Sequence, residues 1–237
     1  MHIPTLRKAD FRGSLPFVYN TSMNRKFKFA PGEFYHVFNR GIDKRNIFES
    51  DEDKVRFQKL LYLCNGDKEL DMRSLPYGSA YEIDVGESLT SVGLYALMDN
   101  HFHLLLKEVR KCGISKFMQK LGTSHTKYYN LRNNRTGRLY EGAFKAVHIE
   151  NDNHLKHLFS YIHLNPAALL SHKLAKRADK TERTLRELGD FPFSSYQDHL
   201  GNTRGESRIL KLTDFPRYFS NIGEYQSDMA DWLDVEM

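Results

Sequence analysis

Two apolar runs, residues 92–98 and 101–107, stand on either side of an Asp99-Asn100 break. This arrangement limits the possible folds more than any other stretch of the chain. Two β-rich runs joined by two turn-forming residues predict a β-hairpin. Successive strand side chains point to opposite faces, so His101 and His103 share one face while Phe102, Leu104 and Leu106 take the other. Two neutral imidazoles on one face can hold a divalent metal, and a metal just past a turn can polarise a phosphate at the rim of a sheet. With 11 His among 237 residues, the spacing alone carries little information, because a hydrogen-bonded His pair on a half-buried strand produces the same pattern.

Around the hairpin, local patterning predicts the other elements. Glu33-Phe34-Tyr35-His36-Val37-Phe38-Asn39-Arg40 reads as a strand closed by Gly41. Glu49-Ser50-Asp51 supplies the start of a helix that carries Val55, Phe57, Leu60, Leu61 and Leu63. Residues 66–90 are turn-rich around one short strand candidate at 81–85, and read as an insertion. Ile114, Phe117, Met118 and Leu121 fall at helical spacing. A last core strand is expected at 144–149. Asn151-Asp152-Asn153 then caps a helix that runs to Asn165 and is limited by Pro166. The order strand–helix–strand–strand–helix–strand–helix predicts an α+β fold, a ferredoxin-like antiparallel sheet with helices on one face. Residues 1–32 read as an N-terminal arm, 33–170 as the core and 171–237 as a C-terminal helical extension. In the extension, Lys173, Lys176, Arg177, Lys180, Arg183 and Arg186 are expected on a solvated helix.

Composition narrows the function classes. A formal charge of +5 and a pI near 9.0 lean toward a polyanionic partner. Cys64 and Cys112, the only two cysteines, make neither a Cys₄ zinc site nor a disulfide framework, which predicts a reducing, cytoplasmic setting. No apolar run reaches membrane-spanning length and the N-terminus has no signal-peptide core, so no membrane partner is expected.

The helix after the last strand adds chemistry. His154, His157, Tyr161 and Asn165 are three, four and four residues apart and form one stripe, opposite an apolar face of Leu155, Leu158, Phe159 and Ile162. Two His and an amide oxygen can coordinate Mg²⁺ or Mn²⁺ beside a phosphate. A phenol one turn away can act as a nucleophile and form a covalent phosphotyrosine. His154, His157 and His163 are otherwise expected at the surface or in a minor supporting role. Tyr128 and Tyr129 are rival nucleophiles on the preceding helix. Around them Lys127, Arg132, Arg135 and Arg138, together with Arg40 and Lys145, read as a phosphate-contacting, nucleic-acid-binding surface with aromatics for base stacking; a core Tyr beside a solvated basic loop is the other reading.

Taken together, the motifs resemble the HUH-type single-tyrosine transposases, and in particular their REP-associated branch. The resemblance runs from about residue 33 to about residue 200. It is carried by Tyr35-His36-Val37-Phe38-Asn39-Arg40-Gly41, Ile47-Phe48, Met98-Asp99-Asn100-His101-Phe102-His103-Leu104-Leu105, Tyr140-Glu141-Gly142-Ala143-Phe144-Lys145, Tyr161-Ile162-His163-Leu164-Asn165-Pro166 and Ser194-Ser195-Tyr196. The resemblance implies metal-dependent cleavage and rejoining of single-stranded or hairpin DNA through a 5′-phosphotyrosine with a free 3′-OH. His101 and His103 would be ligands, Asn165 the third ligand and Tyr161 the nucleophile. No nucleotide cofactor is expected, since transesterification conserves bond energy and the chain has no G-x-x-x-x-G-K-[ST] motif. A monomer is favoured over a homodimer. Two other readings stay open: a non-catalytic binder of structured single strands, and a metal-dependent phosphodiester hydrolase without a covalent intermediate.

Overall fold

The computed structural model describes residues 28–69, 80–171 and 180–235. Most of the expected arm, together with Lys173, Lys176 and Arg177, lies outside these residues. Among the described residues no helix is long and apolar enough to cross a membrane.

The chain folds as β1 (Phe34–Arg40), α1 (Asp51–Leu63), β2 (Thr90–Met98), β3 (His101–Glu108), α2 (Gly113–Arg132), β4 (Lys145–His148) and α3 (Asp152–Leu164). Short α4 (Ala167–Ser171), α5 (Lys180–Asp190), α6 (Tyr196–His199) and α7 (Ile222–Val235) follow. The four strands form one antiparallel sheet in the order β2-β3-β1-β4. With its βαββαβ succession this is the expected ferredoxin-like α+β arrangement. Asp99 and Asn100 alone link β2 to β3, as the hairpin reading required.

Pleat alternation divides the core in two. Tyr35 and Val37 of β1, Tyr95 and Leu97 of β2, and Phe102, Leu104 and Leu106 of β3 face α1 and α2, where they meet Phe57, Leu60, Leu61, Phe117 and Leu121. Leu94, Ala96, Met98 and Leu105 point the other way, against Leu155, Leu158, Phe159 and Ile162 of α3. Helices α1 and α2 thus lie on one face, as expected. The opposite face is covered too, by α3 and by the extension, whose Leu188, Tyr196, Phe215, Tyr225 and Met229 join the same buried cluster. Each such side chain taken from water contributes roughly 1.5–3 kcal/mol, so the extension is part of the core.

The extension also closes the free edge of β2. Leu97 N–H donates to the Phe193 carbonyl (2.9 Å), Ser195 N–H to that of Tyr95 (2.9 Å) and Lys211 N–H to that of Val92 (2.9 Å). Residues 81–85, expected as a short strand, instead begin in a 3-10 turn at Ala80–Glu82 with Tyr81 buried. Contacts with α1 hold this run: the Tyr62 hydroxyl donates to the Ile83 carbonyl (2.9 Å) and the Tyr62 and Tyr81 rings meet edge-on at 5.6 Å.

Candidate active site

His101 and His103 emerge on the α3 face, where Met98 and Ala96 flank them on β2, and Arg40 and Phe38 on β1. Helix α3 starts where expected: Asn151 Oδ1 accepts from the His154 N–H (2.8 Å), a side-chain N-cap. The helix lays Tyr161 across the sheet with its ring edge-on to His103 and His36, at centroid separations of 5.8 and 5.9 Å. His157, one turn earlier, stacks on Tyr161 at 6.1 Å.

Hydrogen bonds fix which nitrogens remain available. Asn100 Oδ1 lies 2.6 Å from His101 Nδ1. An amide oxygen can only accept, so His101 carries its proton on Nδ1 and keeps a lone pair on Nε2. His103 Nδ1 lies 2.8 Å from His36 Nε2, and both rings are buried. When His103 Nδ1–H donates to His36, His103 likewise presents Nε2 as a lone pair. Burial pushes His101 down to about 4, with the Arg40 charge adding to the shift. It pushes His36 down to about 3 and His103 well below its ordinary value. All three imidazoles are therefore neutral at pH 7, the state a ligating imidazole requires.

Asn165 follows α3 directly and donates from Nδ2 to the Tyr161 carbonyl (2.8 Å). Its amide also lies against the Tyr161 phenol, whose pKa it lowers, although burial outweighs this and pushes the phenol up to about 12. Its Oδ1 can accept a hydrogen bond or ligate, but not donate a proton. Two neutral imidazole nitrogens on one face suit a divalent metal. Among the described residues no group of three or more His, Cys, Asp or Glu could hold one.

The basic residues separate into two places. Arg40 pairs with His101 across the β1–β3 ladder, on the site's face, and its buried Nε has no partner among the described residues. Lys145, opposite Phe38 on β4, shares that face and pairs with Glu141 at 3.7 Å. Lys127, Arg132, Arg135 and Arg138 belong to α2 and the loop after it, on the other side of the sheet, and are not brought to the His pair. Arg132 pairs with Asp53, a carboxylate with no exposure, and Arg135 lies over the Tyr129 ring at 5.7 Å. Tyr128 donates to Asp53 (2.8 Å) and Tyr129 to Glu49, so both rival phenols are tied to carboxylates away from the His pair.

Two buried histidines are not marked by the sequence. His36 has no local signal of a role, and only the β1–β3 pairing reveals its contact with His103. His163, expected near the surface, has no exposure at all, because it sits between α3 and the extension. No local pattern distinguishes it from a surface histidine.

The family model described as "Transposase IS200 like" matches residues 85–165, a span that holds both histidines of the pair, Tyr161 and Asn165. No curated protein matches the chain. A solved structure of a REP-associated tyrosine transposase bound to a REP hairpin is similar at 12% identity and a TM-score of 0.47, covering 84% of this chain and 100% of that one.

Proposed function

We propose that the chain, which resembles the HUH-type single-tyrosine transposases in the motifs of their REP-associated branch and matches an IS200-like transposase model over residues 85–165, cuts and rejoins single-stranded DNA through Tyr161. The observation that carries this reading is the placement of the Tyr161 ring against His103 and His36, on the sheet face that also bears Arg40 and Lys145.

Arg40 and Lys145 supply positive charge where a DNA phosphate would lie, with Arg40 next to His101. His101 Nε2, His103 Nε2 and Asn165 Oδ1 would hold Mg²⁺ or Mn²⁺, which when bound offsets charge on the phosphate oxygens. Tyr161 gives its proton to solvent before attacking. Its oxygen then forms the new P–O bond while the bond from phosphorus to the 3′-oxygen breaks, and that oxygen takes a proton from solvent and leaves as a 3′-OH. Return attack by a 3′-OH regenerates the phenol and reseals the strand. Phosphodiester is exchanged for phosphodiester, so no nucleotide cofactor enters. A hairpin substrate is the expectation carried by the motifs. Because Tyr161 reaches the His pair of its own chain, one protomer holds the whole constellation, which fits a monomer.

Cleavage of end-labelled hairpin oligonucleotides in Mg²⁺ or Mn²⁺ tests the proposal. Tyr161→Phe is expected to abolish cutting while leaving hairpin binding in place. If the variant cuts at the wild-type rate, a water nucleophile and a hydrolase are indicated instead. Binding by the wild type without cutting, on every hairpin tried, would reduce the protein to a binding module.

A further inference from the structure

Tyr161 and His163 are two residues apart on α3, and at about 3.6 residues per turn their side chains leave the helix on nearly opposite sides. Tyr161 faces the His pair. His163 faces away, into the extension, where it is fully buried. Its Nε2 lies 2.6 Å from Ser195 Oγ and its Nδ1 2.5 Å from Tyr225 Oη. Ser195 Oγ accepts the Tyr95 N–H of β2 (2.9 Å), and the Tyr225 hydroxyl donates to the Phe159 carbonyl (3.0 Å).

One proton order satisfies these four contacts, with the single Ser195 proton directed to His163 at 2.6 Å and not to the Tyr95 carbonyl at 3.3 Å. Tyr95 N–H donates to Ser195 Oγ, and Ser195 O–H to His163 Nε2. His163 Nδ1–H donates to Tyr225 Oη, and Tyr225 O–H to the Phe159 carbonyl. The chain of bonds runs from the sheet through the Ser194-Ser195-Tyr196 segment to α3, then to α7 and back to α3. Two further contacts join the same helices: Ser160 Oγ donates to Asp228 Oδ2 (2.6 Å), and the Trp232 ring lies 4.3 Å from His157, which itself stacks on Tyr161. Helix α7 thus holds α3 at residues 157, 160 and 163.

An apolar side chain at position 163 could fill the same space without desolvating an imidazole. What the hydrogen-bonded imidazole adds is direction, since greasy packing tolerates a small rotation of a helix and a fully satisfied polar network does not. We propose that His163, together with Ser195 and Tyr225, is a positioning residue: the network fixes the rotation of α3 about its axis and thereby aims Tyr161 at His101 and His103. The inference rests on Tyr161 being the nucleophile, and it gives the Ser194-Ser195-Tyr196 motif a task that the chemistry itself does not.

The test uses the full-length chain with Tyr225→Phe, Ser195→Ala and His163→Phe. Tyr225→Phe removes a single hydroxyl and keeps the ring in the core. Leu121→Ala, in the core between α2 and the sheet, serves as a variant that loses stability elsewhere. Two readouts are taken: the single-turnover rate of Tyr161–DNA adduct formation alongside hairpin Kd, and the nuclear Overhauser contacts between the Tyr161 and His103 rings. The network variants are expected to lose at least about tenfold in rate with Kd nearly unchanged, since a misplacement of about 1 Å can cost ~10²-fold. Their Tyr161–His103 contacts should weaken as well, while Leu121→Ala keeps both rate and contacts. Network variants that retain the wild-type rate and ring contacts, or that lose no more than Leu121→Ala, overturn the proposal. If the wild type forms no adduct, the functional reading falls, and the ring contacts alone then decide whether the network positions Tyr161.

Discussion

His36 illustrates how a single residue can decide a site without touching its chemistry. Its Nε2, 2.8 Å from His103 Nδ1, sets which His103 nitrogen carries the proton, and so whether Nε2 is a lone pair that could bind the proposed metal. Outer partners of this kind typically carry about 10–100-fold in metal affinity. His36→Ala is therefore expected to weaken Mn²⁺ binding by about that factor, measured by titration calorimetry, while Phe38 and the ladder around it stay in place; unchanged affinity would remove His36 from the site. The residues proposed for the chemistry are the most legible in the sequence. His101 and His103 announce themselves by strand alternation, and Tyr161 and Asn165 by a four-residue helical step. His36 and His163 were not legible, because their partners lie 67 residues away for His36, and 32 and 62 residues away for His163.

At the level of elements, caps and turns were readable because they are local. Asn151 caps α3, the Asp99-Asn100 turn closes the hairpin, and α1 buries Phe57, Leu60, Leu61 and Leu63 as its periodicity required. At the basic end of α2, sequence does not tell a cation that waits for DNA from one already paired. Arg132 joins α2 to the buried Asp53 of α1. Arg132→Ala is accordingly expected to lower urea-denaturation stability, by leaving the buried Asp53 without its cation, and to leave hairpin affinity close to wild type. Arg40→Ala should do the reverse, with a clear loss of affinity and little change in stability. If Arg132→Ala weakens binding as much as Arg40→Ala, then DNA also reaches the α2 side.

Over the whole molecule, the ferredoxin-like order followed from the succession of elements, but the merging of the extension with the core did not. That merging depends on long-range packing of Tyr196, Phe215, Tyr225 and Met229, which no window of sequence contains. Packing on the two faces of the sheet buries several imidazoles. His125 donates to the Ile47 carbonyl (2.8 Å) and is pushed down to about 4 by burial, as His101 is, with His36 at about 3 and His103 and His163 depressed as well. A histidine whose folded pKa lies below its unfolded value of about 6.5 contributes stability that is fully present above that pH and lost as pH falls toward the folded value. Melting temperature should therefore be flat above about pH 6.5 and fall steeply between about 6 and 4, and a flat profile through that window would show these rings are not buried in solution.

The most direct test of the central claim is intact mass spectrometry of the wild-type protein after incubation with a hairpin oligonucleotide and Mn²⁺, followed by peptide mapping. The account predicts a species heavier by one 5′-phosphorylated fragment, attached at Tyr161 and absent from Tyr161→Phe. Cleaved DNA with unmodified protein, or an adduct on Tyr128 or Tyr129, would contradict it.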